Sequence, residues 1–399
     1  MIRSSKNFKK LKFIDLFAGV GGFHQALKSL GHECVYASEI NKFAAEVYKK
    51  NYGLDPLSDI TKVDAKDIPE HDILCAGFPC QAFSNAGNKK GFEDVRGTLF
   101  FDIKRILEYH KPKFIVLENV KHLVKHDGGN TWEVIKLNLV NLGYVITEEP
   151  LILSPHQFGV PQNRPRVYIL GVLKSKVKIK ESNISIDFDK YLINKKTNIY
   201  SILETNLIDH NLNINEYEEK VISAWEEFRV GIAKKVYGFP VWVDEFGQNY
   251  SYTHFPKWKQ DYVTKIRDLY NAHKSFIDAW IRKWDVRNFK LRDRKFEWQA
   301  GPTINSVWDT SIQLRQSGIR FKKPDFFPAL VAMVQTPIIA RYKRRLSPKE
   351  ASFLQSYPKD FILDSVPHRA YRQFGNSVNI KVLKIITGEL LKKYGKEDQ

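Results

Sequence analysis

Gly77-Phe78-Pro79-Cys80-Gln81-Ala82-Phe83-Ser84 places a cysteine behind a proline, where the apolar run DILCAGF stops. A short apolar run of this kind reads as a buried strand, so Cys80 falls in the loop at its carboxyl edge. Ligands of open α/β sheets bind at that edge. A thiol there is a nucleophile if its thiolate is stabilised, and an ordinary loop cysteine otherwise. Cys34 and Cys75 lie inside apolar runs and read as small buried hydrophobes. Three cysteines without CxxC spacing point neither to a disulfide framework nor to a structural zinc site.

Two further strand ends carry polar chemistry. Glu118, in Leu117-Glu118-Asn119-Val120, is a carboxyl followed by an apolar residue, suited to partial burial and a raised pKa, and a protonated carboxyl can give a proton to a ring nitrogen. In Gln162-Asn163-Arg164-Pro165-Arg166, alternation puts Gln162, Arg164 and Arg166 on one side, where an arginine pair could hold a carbonyl oxygen or a phosphate, or simply close a salt-bridged edge. Asp15-Leu16-Phe17-Ala18-Gly19-Val20-Gly21-Gly22 leads from a strand into a helix, with glycines that let backbone approach a ligand. The dinucleotide fingerprint wants a third glycine where His24 stands, which disfavours a pyrophosphate. Glu39, at the next strand end, can accept both hydroxyls of a ribose. Turn and carboxylate together suggest a nucleoside-bearing cofactor without a diphosphate.

The elements that must position these residues are legible as alternation. KFIDLFAG, ECVYASE, DILCAGF, KFIVLENV and RVYILGVL read as buried strands. FHQALKSLG, KFAAEVYKKNYG, TLFFDIKRILEYH and TWEVIKLNLVNLG between them show helical spacing. The pattern predicts a doubly wound α/β domain on a parallel sheet over residues 1–173. From 174 to 343 the alternation gives way to an aromatic, basic stretch, read as an inserted module. In 344–399, LSPKEASFLQSYP opens on a serine cap with proline at the first helical position. SVNIKVLKIITGELLKKYG puts Val378, Val382, Ile385, Ile386 and Leu390 on one face. That face needs a partner, which folding back onto the first domain supplies.

The formal net charge is +18, and residues 174–343 hold half of it with 29 basic and 20 acidic side chains. Such an excess suits a polyanionic partner. Seven of the eight tryptophans fall in the same stretch, which is why the composition marks a boundary there. Between Arg282 and Lys323, 11 basic side chains face 4 acidic ones, making this the expected phosphate-contacting and base-reading region. Arg315 and Arg320, around a glycine turn, are candidates for bidentate reading of guanine, with Arg292 and Arg294 nearby, although any one of them could be a solvated charge. No apolar run reaches the roughly 20 residues of a membrane span, and the start lacks a secretory core, so a cytoplasmic protein is expected.

The stretches FIDLFAGVGGF, GFPCQAFS, RGTLF, ENV, QNRPRVYILG, RRLSPKEASFLQSYP and QFGNSV, in this order, resemble the DNA cytosine-5 methyltransferases of bacterial restriction-modification type along essentially the whole chain outside the basic module. The resemblance implies a Rossmann-like S-adenosylmethionine-dependent methyltransferase domain with an inserted, smaller target-recognition domain, acting on double-stranded DNA without a metal. It implies that the Cys80 thiolate adds to carbon 6 of a flipped-out cytosine, making carbon 5 nucleophilic. Glu118 would then serve ring nitrogen 3, and Arg166, with Arg164 nearby, would hold the O2 carbonyl and support Cys80. The segment from Gln81 to Gly97 would close over the base.

For the cofactor, the resemblance assigns Phe17, Ala18, Gly19, Val20, Gly21, Gly22 and Glu39 to the methionine and ribose parts. Ile40, Asp59, Ile60, Phe78, Pro79 and Leu99 would line the adenine site, closed by Asn376 and Val378. Ser84 and Lys89 join the arginines as DNA contacts. Two departures touch the tail: Ser356 stands where the family commonly has glycine, and Asn379 where proline is frequent. The other readings are a tRNA cytosine methyltransferase on the same scaffold and an inactive DNA-binding regulator; a nicotinamide dehydrogenase is disfavoured by His24. A monomer and a cognate restriction endonuclease acting on the same site are further expectations of the resemblance.

Overall fold

A computed structural model describes residues 10–79, 99–205, 207–232, 238–330 and 335–395. Cys80, Ser84, Lys89 and the segment 81–97 lie outside the described residues. The chain divides into two compact units: residues 1–197, 328–332 and 351–399 in one, and 198–327 and 333–350 in the other.

All five strands expected in the first unit form: β1 (Lys12–Leu16), β2 (Glu33–Ser38), β3 (Ile73–Gly77), β4 (Phe114–Val120) and, after the short β5 (Tyr144–Ile146), β6 (Leu151–Leu153) and β7 (Gln162–Asn163), the long β8 (Arg166–Leu173). The sheet order is β2-β1-β3-β4-β8-β5, with β6 also on β8. β1 to β4 pair in parallel, as their helical crossovers α1 (Gly22–Lys28), α2 (Lys42–Tyr52) and α3 (Leu99–His110) require. The expectation of a wholly parallel sheet fails at β8, which runs antiparallel to β4, β5 and β6. The helix before it, α4 (Asn130–Asn141), leads into β5 instead. The return from β6 to β8 carries Pro155, Pro161 and Pro165 and only a single 3-10 turn, so no crossover helix exists to make the pairing parallel. Phe13, Ile14, Asp15 and Leu16 of β1 are all fully buried, as a strand covered on both faces demands.

Residues 174–197 pack with this unit, past the position where the composition changes. The Ile184 amide donates to the Ile146 carbonyl at 3.0 Å, and the Tyr191 hydroxyl donates to Glu389 Oε1 at 2.8 Å.

Between Asn198 and Glu350 the chain forms α5 (Glu216–Gly231), β9 (Val241–Trp242), α6 (Lys257–Ala272), α7 (Lys274–Trp284), β10 (Lys295–Gln299), β11 (Ser311–Arg315), β12 (Gly318–Lys322), β13 (Phe327–Pro328), β14 (Ile338–Ile339) and β15 (Arg344–Arg345). The second sheet has the order β15-β14-β11-β12-β10-β9. Its core explains the tryptophans. Trp225 and Trp280 are buried against Phe228 and Phe296, and their indole N–H groups donate to the carbonyls of Asp293 at 2.9 Å and Ala224 at 2.7 Å. A buried indole with its donor satisfied supplies apolar area without an unpaired polar group.

The last helices are α8 (Pro348–Leu354), α9 (Pro367–Asn376) and α10 (Ile380–Tyr394). The expected cap of α8 is a reciprocal one: Ser347 Oγ accepts the Glu350 amide at 3.0 Å, and Glu350 Oε2 accepts the Ser347 amide at 2.8 Å. α10 buries Val382, Leu383, Ile386 and Leu390 and packs on α1; Ile385, expected on that face, is half-buried, and Leu383 takes its place. The two departures in the tail also resolve. Asn379 caps α10, accepting the Val382 amide at 3.1 Å while donating to the Leu354 carbonyl at 3.0 Å. Proline there could do neither. Ser356 has φ +63, the left-handed conformation for which glycine is the natural residue. Ser356→Gly is therefore expected to raise the unfolding free energy by about 1 kcal/mol in urea denaturation, because left-handed backbone costs a residue with a Cβ about 1–2 kcal/mol. An unchanged or lower midpoint would show that the 3.4 Å contact from Asn379 Nδ2 to Ser356 Oγ outweighs the backbone strain.

Candidate active site

The glycine turn after β1 is built on left-handed backbone at Phe17 (φ +55), Gly19 (φ +55) and Gly21 (φ +87). A Cβ on Gly22 would stand 2.5 Å from Val378 Cγ2, so glycine there lets the C-terminal segment close against the turn. Beneath the turn, the fully buried Asp15 accepts the His24 amide at 3.2 Å, and the Tyr52 hydroxyl donates to the Gly21 carbonyl at 2.9 Å. His24, noted as the break in the dinucleotide fingerprint, stacks on Tyr52 with ring centroids 3.9 Å apart. Burial pulls its imidazole down to about 3, so it is neutral at ordinary pH. The turn thus rests on an aromatic and polar cushion that the sequence pattern did not reveal.

Glu39 reaches this turn. Its Oε2 accepts the Gly19 amide at 2.8 Å and its Oε1 the Asn41 amide at 2.7 Å. Burial pushes the carboxyl up, and those amides hold it back down. Ile40 beside it is 71% exposed, a large apolar side chain uncovered at the carboxyl edge of the sheet. Asp59 caps a short turn by accepting the Thr61 amide and hydroxyl, which hold its carboxyl below the usual range, and Ile60 is buried. Phe78 is buried, Pro79 exposed, and Leu99 half-buried at the start of α3. Asn376 ends α9, exposed, and Val378 is buried against Gly22 and within 3.6 Å of where a Cβ on Gly77 would lie. The turn, Gly77 and the C-terminal segment therefore meet at one edge of the sheet.

Glu118 lies at the same edge. Register places it beside Gly77 on β3 and opposite Tyr168 on β8. Its Oε1 is 3.0 Å from Arg166 Nε, and both side chains are largely buried. Burial pushes the Glu118 carboxyl above its ordinary range, against the pull of the Arg166 and Arg164 guanidiniums. The Arg166 Nη1 donates to the Pro165 carbonyl at 2.9 Å.

Arg164 is placed differently from its expected partner. Its Nη2 donates to the carbonyls of Gly375 and Ser377, both at 2.9 Å, and its Nη1 to that of Leu330 at 3.2 Å. Burial, with the Arg166 guanidinium close by, pulls this guanidinium down to about 9, against the pull of the Glu118 carboxyl. Gln162, on the same alternation, accepts from Gln355 Nε2 at 3.1 Å. The three residues thus face three different partners, and Arg164 works as a staple for the C-terminal segment. Asn119, the middle residue of the ENV stretch, carries a role that its sequence position does not indicate. Its Nδ2 donates to the Phe78 carbonyl at 2.9 Å and holds the chain two residues before Cys80.

In the second unit, each of the four arginines expected to contact DNA has an acidic neighbour. Arg292 pairs with Asp293 at 3.1 Å, Arg294 with Asp244 at 2.7 Å, and Arg315 and Arg320 with Glu297 at 3.6 and 2.8 Å.

The family description C-5 cytosine-specific DNA methylase matches residues 11–392. The chain belongs to this family. It is 32% identical to Type II methyltransferase M.AluI of Cellulosimicrobium cellulans over 491 aligned positions, covering 98% of this chain and 93% of the relative. To Type II methyltransferase M.HhaI of Haemophilus parahaemolyticus it is 54% identical over 165 residues, 41% of this chain and 50% of that one. The solved Entamoeba histolytica methyltransferase EhMeth shares the fold, with a TM-score of 0.56 at 16% identity over 98% of this chain and 100% of that one.

The enzyme transfers a methyl group from S-adenosylmethionine to carbon 5 of cytosine in DNA. Of its cysteines, burial pushes Cys34 up to about 12 and Cys75 well above the usual thiol range, so neither is a thiolate at neutral pH. Among the described residues no group of three or more His, Cys, Asp or Glu is placed to hold a metal ion, and no helix is long and apolar enough to cross a membrane.

The raised Glu118 carboxyl has a consequence for stability. Between its unfolded and folded pKa, the native chain keeps a proton that the unfolded chain has released. Stability therefore falls as pH rises through that window and levels off above the folded value. Asp15 and Glu39 shift in the same direction and add to the decline. Glu118→Gln is expected to remove one share of it, so that melting temperature drops less than in the wild type between the ordinary carboxylate range, about 4.3, and neutrality. Parallel profiles would mean that Glu118 titrates as a surface carboxyl does.

Proposed function

We propose that Cys80, Glu118 and Arg166 carry out the methylation step, and that the enzyme is the modification member of a restriction-modification system. The observation that supports this most is the Glu118–Arg166 pair, buried at the carboxyl edge beside Gly77, three residues before Cys80. The Cys80 thiolate adds to carbon 6 of cytosine, and the electron pair of the 5,6 double bond becomes available at carbon 5. Glu118 gives or shares its proton with ring nitrogen 3, and Arg166 donates to the O2 carbonyl, so the charge entering the ring meets groups already in place. S-adenosylmethionine supplies the methyl group. A base then takes the proton from carbon 5, and the returning electron pair expels the Cys80 thiolate. The reacting carbon is inaccessible within a stacked duplex, so the cytosine is flipped out of double-stranded DNA.

For the cofactor, the residues present fit the group. The turn from Phe17 to Gly22 offers backbone close to the ligand, and Glu39 accepts ribose hydroxyls. Exposed Ile40, with Asp59, Ile60, Phe78, Pro79 and Leu99, holds the adenine, and Asn376 and Val378 close the site. Arg164 is a positioning residue that keeps the C-terminal segment in place. The second unit selects the DNA sequence, with Arg292, Arg294, Arg315 and Arg320 as contacts and Ser84 and Lys89 adding to them, while the first unit carries the chemistry. Relatives named as Type II methyltransferases support the modification role. The reading further includes a cognate endonuclease acting on the same site and a monomer acting in the cytoplasm.

Two variants test these assignments. Glu118→Gln is expected to lower kcat by about 100- to 10,000-fold with little change in DNA affinity, because its proton matters as charge develops on the ring. A fall in affinity matching the fall in rate would make Glu118 a structural residue. Glu39→Ala is expected to weaken S-adenosylmethionine binding in calorimetry while DNA affinity holds; unchanged cofactor affinity would remove the ribose assignment.

A further inference from the structure

Strand alternation divides the sheet of the second unit sharply. One face of β10, β12 and β11 presents Phe296, Trp298, Ile319, Phe321, Ile312 and Leu314 to the aromatic core. The other presents Lys295, Glu297 and Gln299 on β10, Arg320 and Lys322 on β12, and Gln313 and Arg315 on β11. Register sets Glu297 beside Arg320 and Arg320 opposite Gln313, so the three form one row across three strands. All of these polar side chains are at least partly exposed.

Glu297 organises the face. It accepts Arg320 Nε at 2.8 Å through Oε2 and Arg320 Nη2 at 2.9 Å through Oε1. Gln299 Nε2 donates to the same carboxylate, and Arg315 Nη1 stands 3.6 Å from it while Arg315 Nη2 donates to Ser317 at 2.6 Å. One carboxylate thus faces four cations, Lys295, Arg315, Arg320 and Lys322. Burial pulls the Lys322 ammonium down, and Arg320 and Arg315 add to that against the pull of Glu297. Half-exposed ion pairs contribute little to stability, and the apolar face already holds the sheet, so the fold does not require this bidentate arrangement. The excess charge matches a polyanion. Arginine, glutamine and glutamate are moreover the side chains that pair with guanine, adenine and the amino group of cytosine.

We propose that this polar sheet face is the surface that reads DNA bases, and that Glu297 is its positioning residue. By occupying Nε and one side of Nη2 of Arg320, it leaves the outer guanidinium edge, Nη1 with Nη2, to take O6 and N7 of a guanine. The inference rests on the reading that the second unit selects the sequence, and it adds the residue that makes one arginine selective. Its sign is distinctive. Removing Glu297 removes negative charge, so general attraction to DNA is retained or strengthened while discrimination at one base pair is lost.

The test uses the full-length enzyme. Its site is first read by sequencing the methylated cytosines of a plasmid it has modified. Short duplexes carrying that site and every single base-pair change are then compared for kcat/KM and affinity. Arg320→Ala is expected to reduce discrimination at one G·C pair by about 5- to 150-fold. Glu297→Ala is expected to reduce it at the same pair, with the double variant losing no more, and with non-cognate affinity equal to or above the wild type. Glu297→Gln keeps the size and one acceptor oxygen, so intermediate selectivity is expected from it even where the alanine variant is poorly folded. Selectivity lost with Arg320→Ala and intact in both Glu297 variants overturns the role of Glu297 and leaves sequence selection by this unit standing. Intact selectivity in Arg320→Ala and Arg315→Ala as well overturns the reading face itself.

Discussion

A carboxyl taken out of water with a guanidinium against it sets the terms for the rest of this structure. Burial alone favours the protonated form of Glu118, and the Arg166 guanidinium at 3.0 Å favours the charged one. A group balanced between the two is one whose proton can be shared with a ring nitrogen. The balance depends on topology. Arg166 is the first residue of β8, and in a parallel sheet a first residue lies at the amino edge. Because β8 runs antiparallel, its beginning lies at the carboxyl edge of β4, where Val120 pairs with Arg166. The reversal of one strand is what brings carboxyl and guanidinium together.

Closure of the same edge is a second dependence. Arg164 ties down the carbonyls of Gly375 and Ser377, and Val378 then packs against Gly22. Asn119 fixes the Phe78 carbonyl from the neighbouring strand. Residues more than two hundred positions apart in the chain are thereby held around one turn. The cost falls on Arg164, whose buried guanidinium donates its hydrogen bonds to main-chain carbonyls and draws further support from the nearby Glu118 carboxyl.

The parts that were legible in the sequence share one property: they are periodic or local. The five strands and four helices expected over residues 1–173 follow from alternating apolar runs, and the cap at Ser347 from a serine placed before proline. Glu118 was legible because a carboxyl ended an apolar strand. What escaped was long-range. The direction of β8 depends on how a proline-rich return folds, and nothing in RVYILGVL encodes it. Arg164 and Arg166 share an alternation yet serve different partners, because the partner of one arrives from the far end of the chain. The tryptophan-rich stretch marked a change of composition, but the chain packs with the first unit as far as residue 197, the indoles are mostly core, and the polar side chains of the second sheet lie on its opposite face.

The central claim is that catalysis passes through a covalent bond from Cys80 to a base that the Glu118–Arg166 pair also serves. The most direct measurement is mass spectrometric mapping of the enzyme after reaction with S-adenosylmethionine and DNA carrying 5-fluorocytosine at the target. Fluorine cannot leave carbon 5 as a proton does, so the adduct is trapped after methyl transfer. The account predicts a single modified peptide, with the nucleotide on Cys80, formed only when cofactor is present and absent in Cys80→Ser. Trapped DNA on Cys34 or Cys75, or an adduct that survives the loss of Cys80, would contradict it.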